Sequence, residues 1–376
     1  MFYFLSQWLK TLYDIPGIGV FQYITFRAAA SAITALLISF YFGPKIISYL
    51  KRKQIGEQAK QELQTIGQHS TKAGTPTMGG LIVLLALLLP TLLWANMFNM
   101  FVVIIFITTL WMGFVGFIDD YLKVVKKKSK GLIGRYKIVG QIFIGLVIGI
   151  VIYFFPETFS STFSQYNTLT TVPFEKNLNL DFGILYIPLV IFIITATSNA
   201  VNLTDGLDGL SIGTVGISVL ALAIIAYVTG NVKFAEYLNI MYLEGSAELV
   251  IFCAALIGAA LGFLWYNSYP AQIFMGDTGS LALGGAIGAL CILIKKEFLL
   301  PIVGGVFFAE TLSVIIQVSY FKYTKKKYGE GKRIFKIAPL HHHFEKSGLH
   351  ESKIVLRFYI VAVMLAIIVM TTFKVR

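Results

Sequence analysis

Charge is scarce in this sequence. Only 13% of its residues are Asp, Glu, Lys or Arg, where a soluble domain carries about a quarter, while 56% are hydrophobic and the mean hydropathy is +0.75. That balance excludes an ordinary soluble globule. Cysteine is nearly absent: Cys253 and Cys291 both sit inside apolar runs, which excludes a disulfide framework or a thiolate zinc site and leaves them as small core residues. Strict alternation of apolar and polar residues is missing from the long runs, so closed barrels are excluded as well. No internal repeat or low-complexity tail is visible. The first residues carry one Lys, at position 10, and no short apolar core ending in a small-residue site. No cleavable leader is expected, and insertion would rely on the first span.

What remains is apolar length. A run such as "GGLIVLLALLLPTLLWANMFNMFVVIIFITTLWMGFVGFI" far exceeds the roughly 20 residues that cross a bilayer. The expected fold is an all-α integral membrane protein, one polytopic domain over 1–376, with ten spans centred on Phe21 to Leu50, Met78 to Met97, Phe101 to Ile118, Ile138 to Phe155, Ile184 to Thr197, Leu210 to Val228, Leu249 to Trp265, Leu281 to Ile294, Leu299 to Val318 and Ile354 to Phe373. The tail of the first span, and Pro301 with Gly304 and Gly305 in the ninth, suggest bent or interrupted helices. A stretch at about 156–182, rich in Thr, Ser and Phe, reads as the longer outer loop.

Basic residues then set orientation. The loops after spans one, three and nine, with their flanks, hold 23 of the 31 Lys and Arg residues, which places them in the cytoplasm. The cytoplasmic loops are expected at about 51–77, 119–137, 198–209, 266–280 and 321–353, with both termini outside. The net charge of +12 reads mainly as topology signals lying against anionic headgroups, not as a nucleic-acid surface.

Five polar stretches fall on that same face: "TKAGTPTMGG", "GFIDDYLK", "SNAVNLTDGLDGLSIG", "WYNSYPAQIFMGDTGSLALGG" and "APLHHHFEKSG". Carboxylates near membrane depth are costly enough to mark a substrate, ion or proton pathway. Asp205 and Asp208 at i, i+3 share a face of a helical turn, as do Asn199 and Asn202. The alternative is that one Asp merely caps span six. Asp119 and Asp120 are adjacent and cannot serve one cap. An exposed ion pair with Lys123 would contribute under about 1 kcal/mol, too little to explain two acids there. Asp277 opens span eight beside Thr278, Gly279 and Ser280, a helix start suited to anionic oxygens, although a plain capping aspartate also fits.

Carboxylates and amides without Cys favour a hard cation such as Mg²⁺, which bridges to substrate phosphates. His341, His342 and His343 splay around the backbone and make a poor tetrahedral zinc set. Hydrogen bonds to phosphate or to a pocket wall suit them better, with a plain surface loop as the alternative. Together these parts indicate phosphoryl transfer at a membrane surface, in which the protein positions reactants and stabilises charge. A cation-coupled transporter would also use intramembrane acids and broken helices, but it predicts acids near the midplane rather than at span ends. A structural scaffold gives no reason for five polar motifs on one face.

"TPTMGG", "FIDDYLK", "NLTDGLDGL", "FMGDTGSLALGG" and "PLHHHFE", in this order, resemble the bacterial phospho-N-acetylmuramoyl-pentapeptide-transferases, a family of polyprenyl-phosphate N-acetylhexosamine-1-phosphate transferases. The resemblance runs from about Lys72 to Glu345 and, by span count, covers essentially the whole chain. It implies a multi-pass enzyme of the bacterial cytoplasmic membrane with its site facing the cytoplasm. Such an enzyme moves phospho-MurNAc-pentapeptide from UDP-MurNAc-pentapeptide to undecaprenyl phosphate, giving UMP and lipid I for the peptidoglycan of the cell wall.

By the same resemblance, Asp119, Asp120 and Asp277 are catalytic, with Asp277 the Mg²⁺ ligand and Asp119 the better candidate to deprotonate or orient the lipid phosphate. Lys72, Thr77, Asn199, Asn202, Asp205, Gly206, Leu207, Asp208, Asn267 and Phe274 line the nucleotide and diphosphate site, Phe274 as a platform for uracil. Lys123, Gln317, His341, His342 and His343 complete the sugar and phosphate side. The ninth span, with Glu310 inside it, resembles the groove for the polyprenyl tail, and a homodimer is implied. The lipid phosphate could attack directly or after an aspartate has formed a phospho-enzyme; direct attack is the expected route. Relatives that transfer GlcNAc-1-phosphate are the nearest alternative, and "PLHHHFE" favours the muramoyl substrate.

Overall fold

The structure is a computed structural model that describes residues 1–12, 17–53, 74–128, 131–175 and 178–373. Each of the ten expected segments falls on helix: α2 (Ile24–Arg52), α3 (Gly80–Trp94), α4 (Met100–Val124), α5 (Gly134–Phe154), α7 (Tyr186–Thr204), α8 (Leu210–Thr229), α10 (Leu249–Asn267), α11 (Gly276–Leu293), the pair α12 (Leu300–Val303) and α13 (Gly305–Tyr328), and α15 (Glu351–Thr371). Among the described residues eight helices are long and apolar enough to cross a membrane, nine if the bent pair counts as one span, and α3 is a shorter apolar helix. The chain is thus a mostly helical membrane protein.

Among the described residues four short α-helices lie outside the expected segments: α1 (Phe2–Leu12), α6 (Ser161–Ser164), α9 (Val232–Leu238) and α14 (Leu340–Lys346). The described part of the stretch at about 156–182 is more ordered than its composition suggests. It holds the four-residue α6 (Ser161–Ser164) and a hairpin of β1 (Leu169–Thr171) and β2 (Asn179–Asp181), with Thr170 opposite Leu180. The expected break in the ninth span is present as an 83° bend between α12 and α13. The first span differs, since α2 runs as one helix through Pro44.

α11 is the central helix, with all its residues from Thr278 to Leu293 buried. It packs along α4 and α7, while α10 packs along α2, α8 and α3. Water is not available to buried hydroxyls in such a bundle, so they bond back to their own helix: Thr108 and Thr109 in α4, Thr197 and Ser198 in α7, and Thr214 and Thr229 in α8 each donate to the carbonyl four residues earlier at 2.7–2.8 Å.

The two ends of the bundle differ in chemistry. At the Glu248 end of α10, buried Arg27 donates to both oxygens of Glu248, at 2.9 and 2.5 Å, and to the Trp94 carbonyl at 3.2 Å. At the C-terminal end of α11, Lys295 donates to Asn167 O at 2.6 Å and to the Tyr186 hydroxyl at 2.8 Å. Glu297 accepts from Thr170 and Tyr186, which clamps the hairpin to the bundle. The other end collects the C-termini of α4, α7 and α10 and the N-termini of α3, α5, α11 and α15. Every described polar motif lies there.

Candidate active site

Two helix ends make the centre of the site. α4 delivers Asp119 and Asp120 at its C-terminus, and α11 delivers Asp277 in its first turn. Close approach of the two helices depends on Gly116, where a Cβ would stand 2.1 Å from the Asp277 carbonyl oxygen. Gly276 is constrained twice: its φ is +73°, and a Cβ there would lie 2.7 Å from Asp120 Oδ2.

The adjacent aspartates diverge, as a helix requires. Asp120 accepts from Asp277 N at 3.1 Å, Thr278 N at 2.8 Å and the Thr278 hydroxyl at 2.5 Å. It therefore caps α11, and the anion-binding helix start expected at Asp277 is filled by the protein's own carboxylate. Asp119 is fully buried. Its Oδ1 accepts from Leu132 N at 2.7 Å, while Oδ2 pairs with Lys123 and, at 3.0 Å, with Lys137. Both ammonium groups also reach Asp277 Oδ2, Lys123 at 3.1 Å and Lys137 at 2.5 Å. Two carboxylates thus share two lysines. A buried carboxylate without such partners would cost several kcal/mol. Asn202 adds Nδ2 donation to Asp277 Oδ1 at 2.9 Å and to the Ser280 hydroxyl at 2.7 Å.

Lys137 was missed in the sequence because it lies among seven basic residues that serve equally well as topology signals. The signal that would have found it is Lys137 with Gln141 at i, i+4, two polar groups on one face of an otherwise apolar helix. Gln141 is buried and accepts from Asn199 Nδ2 at 2.9 Å. Asn199 and Asn202 therefore do not serve one object: the first ties α7 to α5, and only the second reaches Asp277.

The acidic turn differs from the helical face expected of it. Residues 205–209 form the turn between α7 and α8, and α8 starts at Gly209, φ +81°, with no side-chain cap. Asp208 is buried; its Oδ2 accepts from Ala271 N at 2.9 Å, and its own N donates to Glu351 at 2.7 Å. Asn267 accepts from Gly209 N at 3.1 Å and donates to Ile273 O at 2.9 Å, and the Tyr359 hydroxyl donates to Gly209 O at 2.6 Å. Asp208 and Asn267 thus brace the turn against 266–274. Leu207 packs its side chain in a cluster with Leu210, Ile354 and Val355.

Thr77 and Phe274 lie on paired segments: Phe274 N donates to Pro76 O, and Gly79 N to Phe274 O, both at 2.8 Å. Phe274 is half-buried and Thr77 is buried. Lys72 lies outside the described residues. Gln317 spends its amide on the segment between α13 and α14, accepting from Ile334 N and Phe335 N, both at 3.0 Å, and donating to Phe335 O at 3.3 Å. The three histidines do separate work. His341 faces Glu310, His342 Nδ1 stands 3.1 Å from Glu345, and His343 Nδ1 accepts from Lys336 N at 3.1 Å.

Asp119, Asp120 and Asp277 each offer a carboxylate oxygen within 4.8 Å of one another. An all-oxygen set of this kind fits a hard divalent cation. With Asp120 committed to α11, Asp277 and Asp119 are the oxygens that suit it best.

Comparison with known proteins agrees with this geometry. The glycosyl transferase family 4 model matches residues 102–295, which include Asp119, Asp120, Lys137 and Asp277, and a phospho-N-acetylmuramoyl-pentapeptide-transferase signature matches residues 72–84. Phospho-N-acetylmuramoyl-pentapeptide-transferases of Chloroherpeton thalassium and Flavobacterium psychrophilum are 56% and 50% identical to the chain, each aligned over the whole of both proteins. That of Amoebophilus asiaticus is 51% identical, again over full length. Identity at this level over the entire length of both chains places this chain in the phospho-N-acetylmuramoyl-pentapeptide-transferase family.

Proposed function

We propose that the chain transfers phospho-MurNAc-pentapeptide from UDP-MurNAc-pentapeptide to undecaprenyl phosphate, releasing UMP and lipid I for peptidoglycan. The observation that carries this reading is the pairing of Asp119 and Asp277 through Lys123 and Lys137 at one end of an apolar bundle. That end offers cationic donors for a diphosphate and a lipid phosphate. In this reading it faces the cytoplasm of the bacterial inner membrane, supported by the 23 of 31 basic residues in the loops on that side. The ten segments then cross the membrane with both termini outside, and the enzyme works as a homodimer.

Asp277, with Asp119 beside it, would hold Mg²⁺, which when bound neutralises charge on the diphosphate. The chain's own groups do the rest. Lys123 and Lys137 turn from the carboxylates to the phosphate oxygens. Asp119 orients the lipid phosphate, whose oxygen attacks the sugar-side phosphorus. The bond from that phosphorus to the bridging oxygen breaks, and UMP leaves with the bridging oxygen. Asn202 keeps Asp277 in place, Phe274 supports the uracil, and the turn at 205–209 holds the nucleotide sugar. A covalent route would exchange labelled UMP into the UDP-sugar with lipid-free enzyme and no lipid phosphate; direct attack predicts no exchange.

The test of substrate is purified enzyme in vesicles with undecaprenyl phosphate, supplied either with UDP-MurNAc-pentapeptide or with UDP-GlcNAc. UMP and a lipid-linked product are expected only from the muramoyl nucleotide. A lipid product from UDP-GlcNAc alone would overturn the assignment.

A further inference from the structure

Glu310 is a buried acid that the proposed chemistry does not use. It lies in α13, past the bend, with no exposure, and His341 beside it is 1% exposed. Its carboxylate accepts from His341 N at 3.2 Å, and its Oε2 stands 3.2 Å from His341 Nδ1. Neither ring nitrogen of His341 meets hydrogen-bond geometry, so the carboxylate holds the residue through its backbone N–H and acts on the ring by charge, favouring the proton on the nearer Nδ1. The opposite nitrogen, Nε2, is buried and abuts Gly206, where a Cβ would lie 2.2 Å from it. Any side chain at position 206 would collide with the ring.

The contacts therefore run from Glu310 through His341 to the middle of the 205–209 turn. The turn's other side is fixed by Asn267, Glu351 and Tyr359.

We propose that Glu310 is a positioning residue: acting through His341, it sets the acidic turn at Gly206 and hence the fit of the nucleotide sugar, apart from the Asp119 and Asp277 centre. The proposal rests on the transferase reading. In that reading the bent helix that carries Glu310 borders the lipid groove, so one buried dyad links the lipid side of the site to the nucleotide side.

The test uses full-length enzyme in detergent or vesicles. Glu310→Met keeps a comparable volume and removes both charge and acceptor. It is expected to raise KM for UDP-MurNAc-pentapeptide about 10-fold, a loss of uniform binding. Half-activation by Mg²⁺ should stay within about twofold, since uniform binding is lost rather than the metal. In a His341→Gln background the same change should add less than about twofold, because the two act as one unit. Multiplying effects, or a Mg²⁺ shift as large as the KM shift, would overturn the proposal.

Selective ¹⁵N labelling of the five histidines, with His341 assigned by its loss in His341→Gln, needs no turnover. A protonated Nδ1 in the wild type is expected, and an Nε2–H tautomer with bare Nδ1 contradicts the proposal even if Glu310→Met does not fold. Wild-type UMP release, measured alongside, reports separately on the transferase reading.

Discussion

Lys137 and Asp120 show how far residue type alone carries. Both acids of "DDYLK" are visible in the sequence as functional candidates, yet their division of labour depends on what each carboxylate meets. Asp120 accepts three donors from the start of α11, whereas Asp119 faces two ammonium groups. No sequence pattern distinguishes them, because the partner turn is more than 150 residues away. Lys137 was hidden for the opposite reason: basic residues at a span end already have an explanation. Lys137→Ala leaves Asp119 and Asp277 with Lys123 alone. The expected outcome is a fall in kcat of about 10- to 100-fold with an unaltered elution profile, as for loss of one preorganised charge at a reacting centre. Steady-state UMP release checks it, and wild-type turnover would assign Lys137 to topology after all.

Elements were legible where apolar length dictated them and illegible where tertiary contacts did. The ten apolar segments and the break at Gly304 follow from hydropathy and from Pro and Gly placement. The β1–β2 hairpin does not, because its six residues gain order from Glu297 and Lys296, which accept from or donate to Thr170 and Thr171. Asp205 and Asp208 have the spacing of one helical face, but Asn267, Glu351 and Tyr359 hold their turn open from distant elements.

Two predictions belong to this scale. Gly116→Ala inserts a methyl against the Asp277 carbonyl; overpacking of this kind costs about 1–3 kcal/mol, and here it falls on the joint between α4 and α11. Thermal unfolding in detergent should show the loss, with transferase activity falling more steeply than stability, and an alanine variant of wild-type activity would mean that the joint is compliant.

The hairpin supplies the second. Asp181 accepts from the Thr168 hydroxyl at 2.6 Å and from Gly183 N at 2.9 Å, and these donors hold its carboxyl below the usual carboxylate range. The stabilisation is therefore complete above about pH 4, the unfolded value, and is lost as pH falls through the lower folded value. Exchange protection of the Gly183 amide, corrected for intrinsic rate, should drop on acidification in the wild type and be independent of pH in Asp181→Asn.

At the scale of the whole molecule, the arrangement is a bundle with two unlike ends. One end is closed by buried ions, Arg27 bonded to Glu248, and Lys295 and Glu297 joined through the Tyr186 hydroxyl. The other gathers the polar motifs whose five stretches are scattered over more than 270 residues. Convergence was legible in the sequence because an odd number of spans separates loops on opposite faces, and the basic loops share a side with the acids. What the sequence did not disclose is that Asp120, Asp208, Asn267 and Gln317 bond the backbone of other segments, and for that reason we centre the transferase reading on Asp119, Asp277, Lys123, Lys137 and Asn202.

That narrowing makes Asp277 the residue on which the transferase reading depends. The direct test is Mg²⁺-dependent release of UMP from UDP-MurNAc-pentapeptide and undecaprenyl phosphate by wild-type enzyme and Asp277→Ala. The predicted result is a loss of at least about 100-fold in kcat, several kcal/mol of charge stabilisation, that added Mg²⁺ does not restore. Equal rates and equal Mg²⁺ response in the two proteins would contradict it.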